Sequence, residues 1–348
     1  MQFHLNASLK NVHTFSIDQT CDALVEVTTI EELISVYKDS KWSALPKLIL
    51  GKGSNMLFTD HFAGLIIVNQ LTGITLTEID SHHLLHVNGG EDWPSLVEWS
   101  VGKGLGGLEN LAMIPGCSGS APIQNIGAYG VELQDVCEYV DTLCLDTYTV
   151  KRLTKEQCLF GYRDSIFKHA LYGKAIVVAI GLALPKEWKP CNHYGPLKSL
   201  PIETLSPRTI FDEVCAIRSS KLPDPAVQGN AGSFFKNPVI TKDHFDRLLL
   251  LYPSIVGYEN NNMIKVAAGW LIDQCQFKGV IEGGAQVHPN QALVIINYDK
   301  ATALDVIKLA ERVRQSVLDK FDIQLEHEVR FMGRQGETNL DKALEILV

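Results

Sequence analysis

Pro115-Gly-Cys-Ser-Gly-Ser-Ala-Pro-Ile-Gln-Asn-Ile-Gly-Ala-Tyr-Gly130 holds four glycines, two prolines, two serines and two side-chain amides in sixteen residues. A helix interior does not tolerate that glycine density, and a central strand does not tolerate the prolines. Such a segment is suited to bringing bare backbone N–H groups close to a large anionic ligand. The plain alternative is a tight surface turn. A second loop of the same kind, Gly51-Lys-Gly-Ser-Asn55, lies upstream. Two such loops in one chain imply a ligand with an extended phosphate and a ring system.

The rest of the chain sets the frame for that ligand. At 348 residues it is long for one domain, and two or three are expected. A net charge of −9 argues against a nucleic-acid surface, which needs a concentrated basic face, but allows a local basic pocket. The eight cysteines are scattered with no C-x-x-C pair, which reads as reduced thiols in a cytoplasm and not as a disulfide framework or zinc site. The longest apolar run, Ala175 to Leu184, is too short to span a bilayer and reads as a buried strand. Met1 to Asn6 lacks a basic region followed by an apolar stretch, so no secretory signal is expected.

Two tempting motifs are set aside. Gly102-Lys-Gly-Leu-Gly-Gly107 satisfies G-x-G-x-x-G, but that fingerprint must follow a strand and open a helix. Here Leu96, Val97 and Val101 mark one helical face from Trp93 onward, so these glycines end a helix. His82, His83 and His86 suggest a metal, yet Leu84 to Val87 reads as a strand that sends neighbouring side chains to opposite faces, and no carboxylate or thiol sits at a ligand spacing. No metal is expected.

Elsewhere the pattern gives alternating helices and strands. Thr28 and Thr29, three residues before Glu31 and Glu32, form overlapping capping boxes for a helix to about Tyr37. Leu45 to Leu50 and Leu65 to Val68 read as strands. Val140 to Leu145 and Val150 to Leu153 read as a hairpin. Ser206-Pro207 opens a helix that buries Ile210, Val214 and Ile217 and stops at Leu222-Pro223, leaving Arg218 and Lys221 to complement its dipole. Pro185 to Pro201 is irregular, a mobile loop carrying Tyr194. Helices are expected over Ala267 to Gln276 and Thr302 to Phe321, and strands over Ala292 to Ile296 and Ile323 to Phe331. Arg163, flanked by Tyr162 and Phe167, is placed to clamp a carboxylate in two-pronged fashion.

Together Gly51-Lys-Gly-Ser-Asn55, Ile114-Pro-Gly116, Gln124-Asn-Ile-Gly-Ala-Tyr-Gly130, Gly161-Tyr-Arg-Asp-Ser165, Lys221-Leu-Pro-Asp-Pro225, Gly229-Asn-Ala-Gly-Ser-Phe-Phe-Lys-Asn-Pro238, Ala268-Gly-Trp-Leu-Ile-Asp273 and Leu325-Glu-His-Glu-Val-Arg-Phe331 resemble the UDP-N-acetylenolpyruvoylglucosamine reductases. The match runs over nearly the whole chain, and Tyr194 in its loop resembles the class with a tyrosine loop over the substrate. Ser118 stands where relatives commonly carry valine.

The resemblance implies an α+β fold: a two-part FAD-binding domain of the vanillyl-alcohol-oxidase type and a smaller α+β substrate domain. The expected spans are 1–222 for the FAD domain, in lobes of about 1–70 and 71–222, then 223–321 for the substrate domain, then a tail over 322–348 returning to the FAD domain. It implies NADPH and FAD as cofactors, and a nucleotide sugar whose enolpyruvyl ether takes a hydride from flavin N5 at C3. Arg163 and Glu328 would stabilise the developing enolate, and Ser233 would protonate C2. Gly51, Lys52, Gly53, Ser54, Asn55, Ile114, Pro115, Gly116, Gly119, Ser120, Gln124, Asn125, Gly127 and Ala128 would bind the cofactor. Tyr129, Tyr194, Lys221 and Asn237 would bind the substrate. A cytoplasmic monomer with no nucleic-acid or membrane partner is expected. The competing readings are an FAD oxidase of the same fold and a non-catalytic module that binds a nucleotide sugar.

Overall fold

The computed structural model describes residues 1–345; the last three residues of the expected 322–348 tail lie outside the described residues. The chain divides into two compact units, neither continuous in sequence. The first comprises 1–4, 24–52 and 65–220, and the second 5–23, 53–64 and 221–348.

The first unit is built on a five-stranded antiparallel sheet in the order Val150–Thr154, Cys137–Cys144, Ala175–Pro185, His82–Asn88, Ile74–Glu78. The apolar run takes the central place, flanked on both edges, and Ile176 to Leu182 are all buried or nearly so. Burying each such side chain stabilises by roughly 1.5–3 kcal/mol, which is why the strand with fewest polar residues takes the middle of the sheet. The expected hairpin forms, with Val140 opposite Leu153 and Asp141 opposite Arg152. Helices Trp93–Gly102 and Pro207–Lys221 contribute Leu96, Val97, Val101, Ile210, Val214 and Ile217 to the same core. The Asp92 side chain caps the first, and its glycines 104 and 107 lie past its end, as the rejection of the fingerprint required. Ser206 Oγ accepts from Thr209 N at 3.1 Å and opens the second. Helix Ile30–Lys38 is capped by Thr29, while the Glu32 carboxylate takes the N–H of Thr28. Strand Lys47–Leu50 pairs in parallel with Leu65 to Val68.

The second unit holds a four-stranded antiparallel sheet in the order Asn230–Ser233, Val294–Asn297, Ala285–Val287, Ile281–Glu282. Helix Ala303–Phe321 supplies Val306, Leu309, Val313 and Val317 to its core, and Thr302 and Asp305 form its capping box. Met56–Phe58 runs parallel to Arg330–Gly333, with Gly336–Thr338 on the far side.

One expected element is corrected. Ile323 to Phe331 is not a continuous strand; ladder pairing begins only at Arg330. Ile323 and Leu325 are buried and Gln324 and Glu326 exposed, so the alternation is real, but among the described residues no strand pairs with this stretch before Arg330 apart from one bridge, Phe235 to His327. Among the described residues no helix is long and apolar enough to cross a membrane. All eight cysteines are free thiols.

Candidate active site

In the first unit Gly51 and Lys52 meet the other glycine loop. A Cβ on Gly51 would overlap Cys117 Sγ, and Lys52 Nζ lies 3.8 Å from Asp92, which bridges to Cys117. Both loops therefore pack on one another by virtue of a missing side chain. The glycine reading needs a correction, however. The N–H groups of Ser118, Gly119, Ala121 and Ile126 are not bare: they donate to the carbonyls of Glu91, Gly89, Cys117 and Ala121. The N–H of Cys117 donates to Ser120 Oγ at 3.2 Å. Gly119 is glycine because its Cβ would stand 2.7 Å from Gly89 O. Close backbone packing, not ligand approach, fixes that residue. Ser118 is fully buried and its hydroxyl donates to the Asn88 carbonyl, so it faces into the protein.

Asn125 is equally committed. Fully buried and left-handed at φ 44°, it donates through Nδ2 to Glu132 at 2.9 Å and to the Gly161 carbonyl at 3.1 Å, and accepts from Gln134 N at 3.0 Å. It anchors the small hairpin Gly127–Ala128 and Val131–Glu132, whose two-residue turn is Tyr129-Gly130. Both turn residues have positive φ, 50° and 86°, the signature of a type I′ turn. A tyrosine in that conformation is strained, and such strain concentrates at functional sites.

Arg163 is held against the same hairpin. Its Nη2 donates to the Gly127 carbonyl at 2.9 Å, and its own carbonyl accepts from Lys168 Nζ at 2.7 Å. It too sits at positive φ, 53°, between Gly161 and Asp164, whose backbones bond each other. The Asp164 carboxylate is half-exposed and pinned by His169 at 2.8 Å. Burial opposes its ionisation, but the His169 and Ser165 hydrogen bonds outweigh it and hold its pKa below the usual range. Tyr194 meets Tyr129 edge to face at 6.2 Å, and Asn110 Nδ2 ties the two segments by donating to the carbonyls of Tyr129 and Cys191. The first unit thus gathers Arg163, Tyr129 and Tyr194 around one hairpin.

The second unit gathers another group. Strand Asn230–Ser233 carries a bulge, with Gly232 at φ 74°, which presents Ser233 to solvent while Phe234 and Phe235 turn into the core. The Phe234 carbonyl accepts from Glu328 N at 2.8 Å, and Lys236 N donates to Glu326 O at 2.9 Å. Residues 234–236 therefore lie beside 326–328, which places Glu328 next to the serine segment. Asn55 joins them: its Nδ2 donates to Glu328 O at 3.3 Å, and its carbonyl accepts from Arg330 N at 3.0 Å. Gly53 stands at φ 58° with its Cβ position 2.5 Å from His13 Cβ, so the loop before Ser54 and Asn55 rests on a buried histidine. Asn237 spends Oδ1 on Ala268 N at 3.0 Å, at the start of helix Ala268–Gln274, which leaves its NH₂ to donate. Lys221, the last residue of its helix, is exposed.

The sequence reading missed Arg218 and Asn110, both outside the glycine loops, and the Gly89-Gly90 pair under Gly119. Only the glycine pair carried a local signal, two small residues directly after a strand.

With this geometry in place, comparison with known proteins is decisive. A family profile described as "FAD binding domain" matches residues 21–152. One described as "UDP-N-acetylenolpyruvoylglucosamine reductase, C-terminal domain" matches residues 224–332. The UDP-N-acetylenolpyruvoylglucosamine reductase of Vibrio parahaemolyticus is 60% identical over 342 residues, 98% of this chain and 99% of that one. The chain belongs to the UDP-N-acetylenolpyruvoylglucosamine reductase family. The reductase of Vibrio cholerae is 58% identical over 340 residues, 98% of each chain. Among solved structures, the UDP-N-acetylenolpyruvylglucosamine reductase of Thermus caldophilus superposes with a TM-score of 0.66 at 25% identity, over 95% of this chain and 98% of that one. The α+β class with an FAD-binding domain, expected from the motifs, is the fold of this reductase-family chain.

Proposed function

We propose that this chain reduces UDP-N-acetyl-3-O-(1-carboxyvinyl)-glucosamine to UDP-N-acetylmuramate, with electrons from NADPH relayed through FAD, in the synthesis of peptidoglycan precursors. It is an FAD-dependent oxidoreductase of its family. The observation that carries the reading is end-to-end identity of 60% with a reductase so named.

The residues present fit a flavin nucleotide. In the first unit Lys52 carries an ammonium and Gln124 an amide, and in the second Ser54 carries a hydroxyl and Asn55 an amide, groups of the kind that bind a diphosphate. We assign Gly51, Lys52, Gly53, Ser54, Asn55, Ile114, Pro115, Gly116, Gly119, Ser120, Gln124, Asn125, Gly127 and Ala128 to that cofactor, Gly119 and Asn125 acting by shaping the loop. When bound, FAD supplies a two-electron relay between NADPH and the alkene carbon C3. The chain's own work lies at C2. Charge develops there and on the attached carboxylate, and Arg163, oriented by the Gly127 carbonyl, is the cation assigned to it. Glu328 shares a proton with that centre, and Ser233 delivers its hydroxyl proton to C2. Tyr129 is assigned to the substrate, and Tyr194, Lys221 and Asn237 to its diphosphate.

We further assign 1–222 to the FAD domain, 223–321 to the substrate domain and 322–348 to a returning tail. The two family profiles, at 21–152 and 224–332, support the first boundary. A cytoplasmic monomer is the form proposed. The test is direct conversion. Purified protein given NADPH and the enolpyruvyl nucleotide should yield a product two hydrogens heavier, one for each NADPH oxidised. An unchanged nucleotide mass would overturn the proposal.

A further inference from the structure

Strand Thr20–Val27 opens with two polar side chains on one face, Thr20 and Asp22, while Cys21 between them is fully buried on the other. His61 stands just before the neighbouring strand, Phe62–Asn69. Its backbone N–H donates to Asp60 Oδ1 at 2.6 Å, which fixes the turn that carries it. The imidazole bridges the other two side chains. Its Nδ1 lies 2.8 Å from Thr20 Oγ1, and its Nε2 lies 2.8 Å from Asp22 Oδ1. All three residues belong to the second unit. Thr20 is exposed, and the ring and the carboxylate keep 27% and 40% of their side-chain surface.

Acceptor chemistry sets the direction of both bonds. An ionised carboxylate only accepts, so Nε2 carries the hydrogen and gives it to Asp22. In the neutral ring Nδ1 is then the acceptor, and the Thr20 hydroxyl gives its hydrogen to it. A hydroxyl bonded to a base, with the base oriented by a third group, is the arrangement that activates a weak oxygen nucleophile. A plain tie between the turn and the strand would need only the Thr20–His61 bond. Asp22 adds the group that fixes the tautomer and steadies an imidazolium.

We propose that Thr20 is an acyl-acceptor site, with His61 as its base and Asp22 orienting the base, and that the donor is a small acyl phosphate. The class of donor follows from the openness of the site. An exposed hydroxyl with one base suits a carbonyl already activated by a phosphate leaving group, whereas an amide needs enclosed donors for its oxyanion. Thr20 Oγ1 bonds to the carbonyl carbon while its hydrogen passes to His61 Nδ1. The bond from that carbon to the bridging oxygen breaks, and the oxygen leaves with the electron pair as inorganic phosphate. The imidazolium then returns its proton to solvent, and nothing is oxidised or reduced.

The test incubates the flavin-loaded full chain with acetyl phosphate and maps the peptides by mass spectrometry. The parent protein should gain one acetyl ester, on Thr20, that hydroxylamine removes. His61→Gln should slow this labelling by about 10²–10⁴, the range for loss of a positioned base. Asp22→Asn should slow it as well, and Thr20→Val should abolish it. Bleaching of the flavin by NADPH in each variant shows that it is folded. Acetyl groups confined to lysines, a phosphoryl group on Thr20 in place of acetyl, or equal labelling of Thr20 in the parent and His61→Gln would each overturn the proposal. Should His61→Gln lose its flavin, the comparison passes to Asp22→Asn, and equal labelling there is the overturning result.

Discussion

The N–H of Glu328 donates to the carbonyl of Phe234 at 2.8 Å, so a carboxylate from the end of the chain is fixed by backbone to the residue that follows Ser233. Backbone bonding survives side-chain replacement, which lets each group be removed without moving the other. Ser233→Ala should therefore leave the protein folded and able to pass electrons from NADPH to its flavin. Steady-state turnover should drop by about 10²–10⁴, the range for loss of a positioned proton donor. Stopped-flow measurement of the two half-reactions separates these outcomes; equal slowing of both would remove the serine from the second half.

Arg163 is predicted to be intolerant of conservative exchange. A lysine loses the planar fork that bonds the Gly127 carbonyl, and the charge is then free to wander. Arg163→Lys should cost about 10²–10³ in kcat, comparable to one lost charge-stabilising donor. KM for NADPH should stay near that of the parent enzyme. Turnover within threefold of wild type would show that the cation is not used in the reaction.

The glycines separate by what surrounds them. Gly119→Ala pushes a Cβ to 2.7 Å from Gly89 O and 3.0 Å from Gly89 Cα, both backbone atoms that cannot swing aside. Destabilisation of about 1–3 kcal/mol is expected, together with a lower flavin-to-protein ratio. Gly102, the last residue of its helix, has open space at its Cβ position. Gly102→Ala should be neutral or stabilise by up to about 1 kcal/mol. Thermal melts of both variants, read beside flavin absorbance, check the contrast.

Much of this was legible in the sequence because it is encoded locally. Thr29 and Ser206 announce helices by chemistry that operates within one turn, and the Ala175 to Leu184 run declares itself by composition. The alternation of Ile323 to Phe331 was equally visible but misleading. It reports which side chains are buried, whereas a strand also needs a neighbour, and that depends on residues 53–64 joining 221–348 in one unit. The glycine loop misled in a similar way. Density of glycine shows where backbones come close, and at Gly119 the close partner is Gly89, thirty residues upstream and not readable from spacing. Arg218 was read as a helix-dipole partner for the same reason: its hydrogen bond to the Met113 carbonyl is wholly long-range.

Acid should weaken the second unit. His13 is buried, donates Nε2–H to the Ile17 carbonyl at 3.1 Å, and has Nδ1 buried without a hydrogen-bond partner among the described residues, so burial pushes its pKa down. Burial also lowers those of His288 and His327. The unfolded chain takes up protons on these rings near pH 6.5, before the folded unit does. Stability is therefore intact above about pH 6.5 and is lost as pH falls from there to the depressed folded values. Melting temperature should decline between about pH 7 and 5, and less steeply in His13→Gln. A profile unaltered by that substitution would clear His13 of any part in it.

The account is tested most directly by one absorbance experiment on the purified yellow protein. Under anaerobic conditions NADPH should bleach the flavin band, and adding the enolpyruvyl nucleotide should restore it as the nucleotide is reduced. A band that NADPH leaves untouched, or that stays bleached with the nucleotide and recovers only in oxygen, would contradict it.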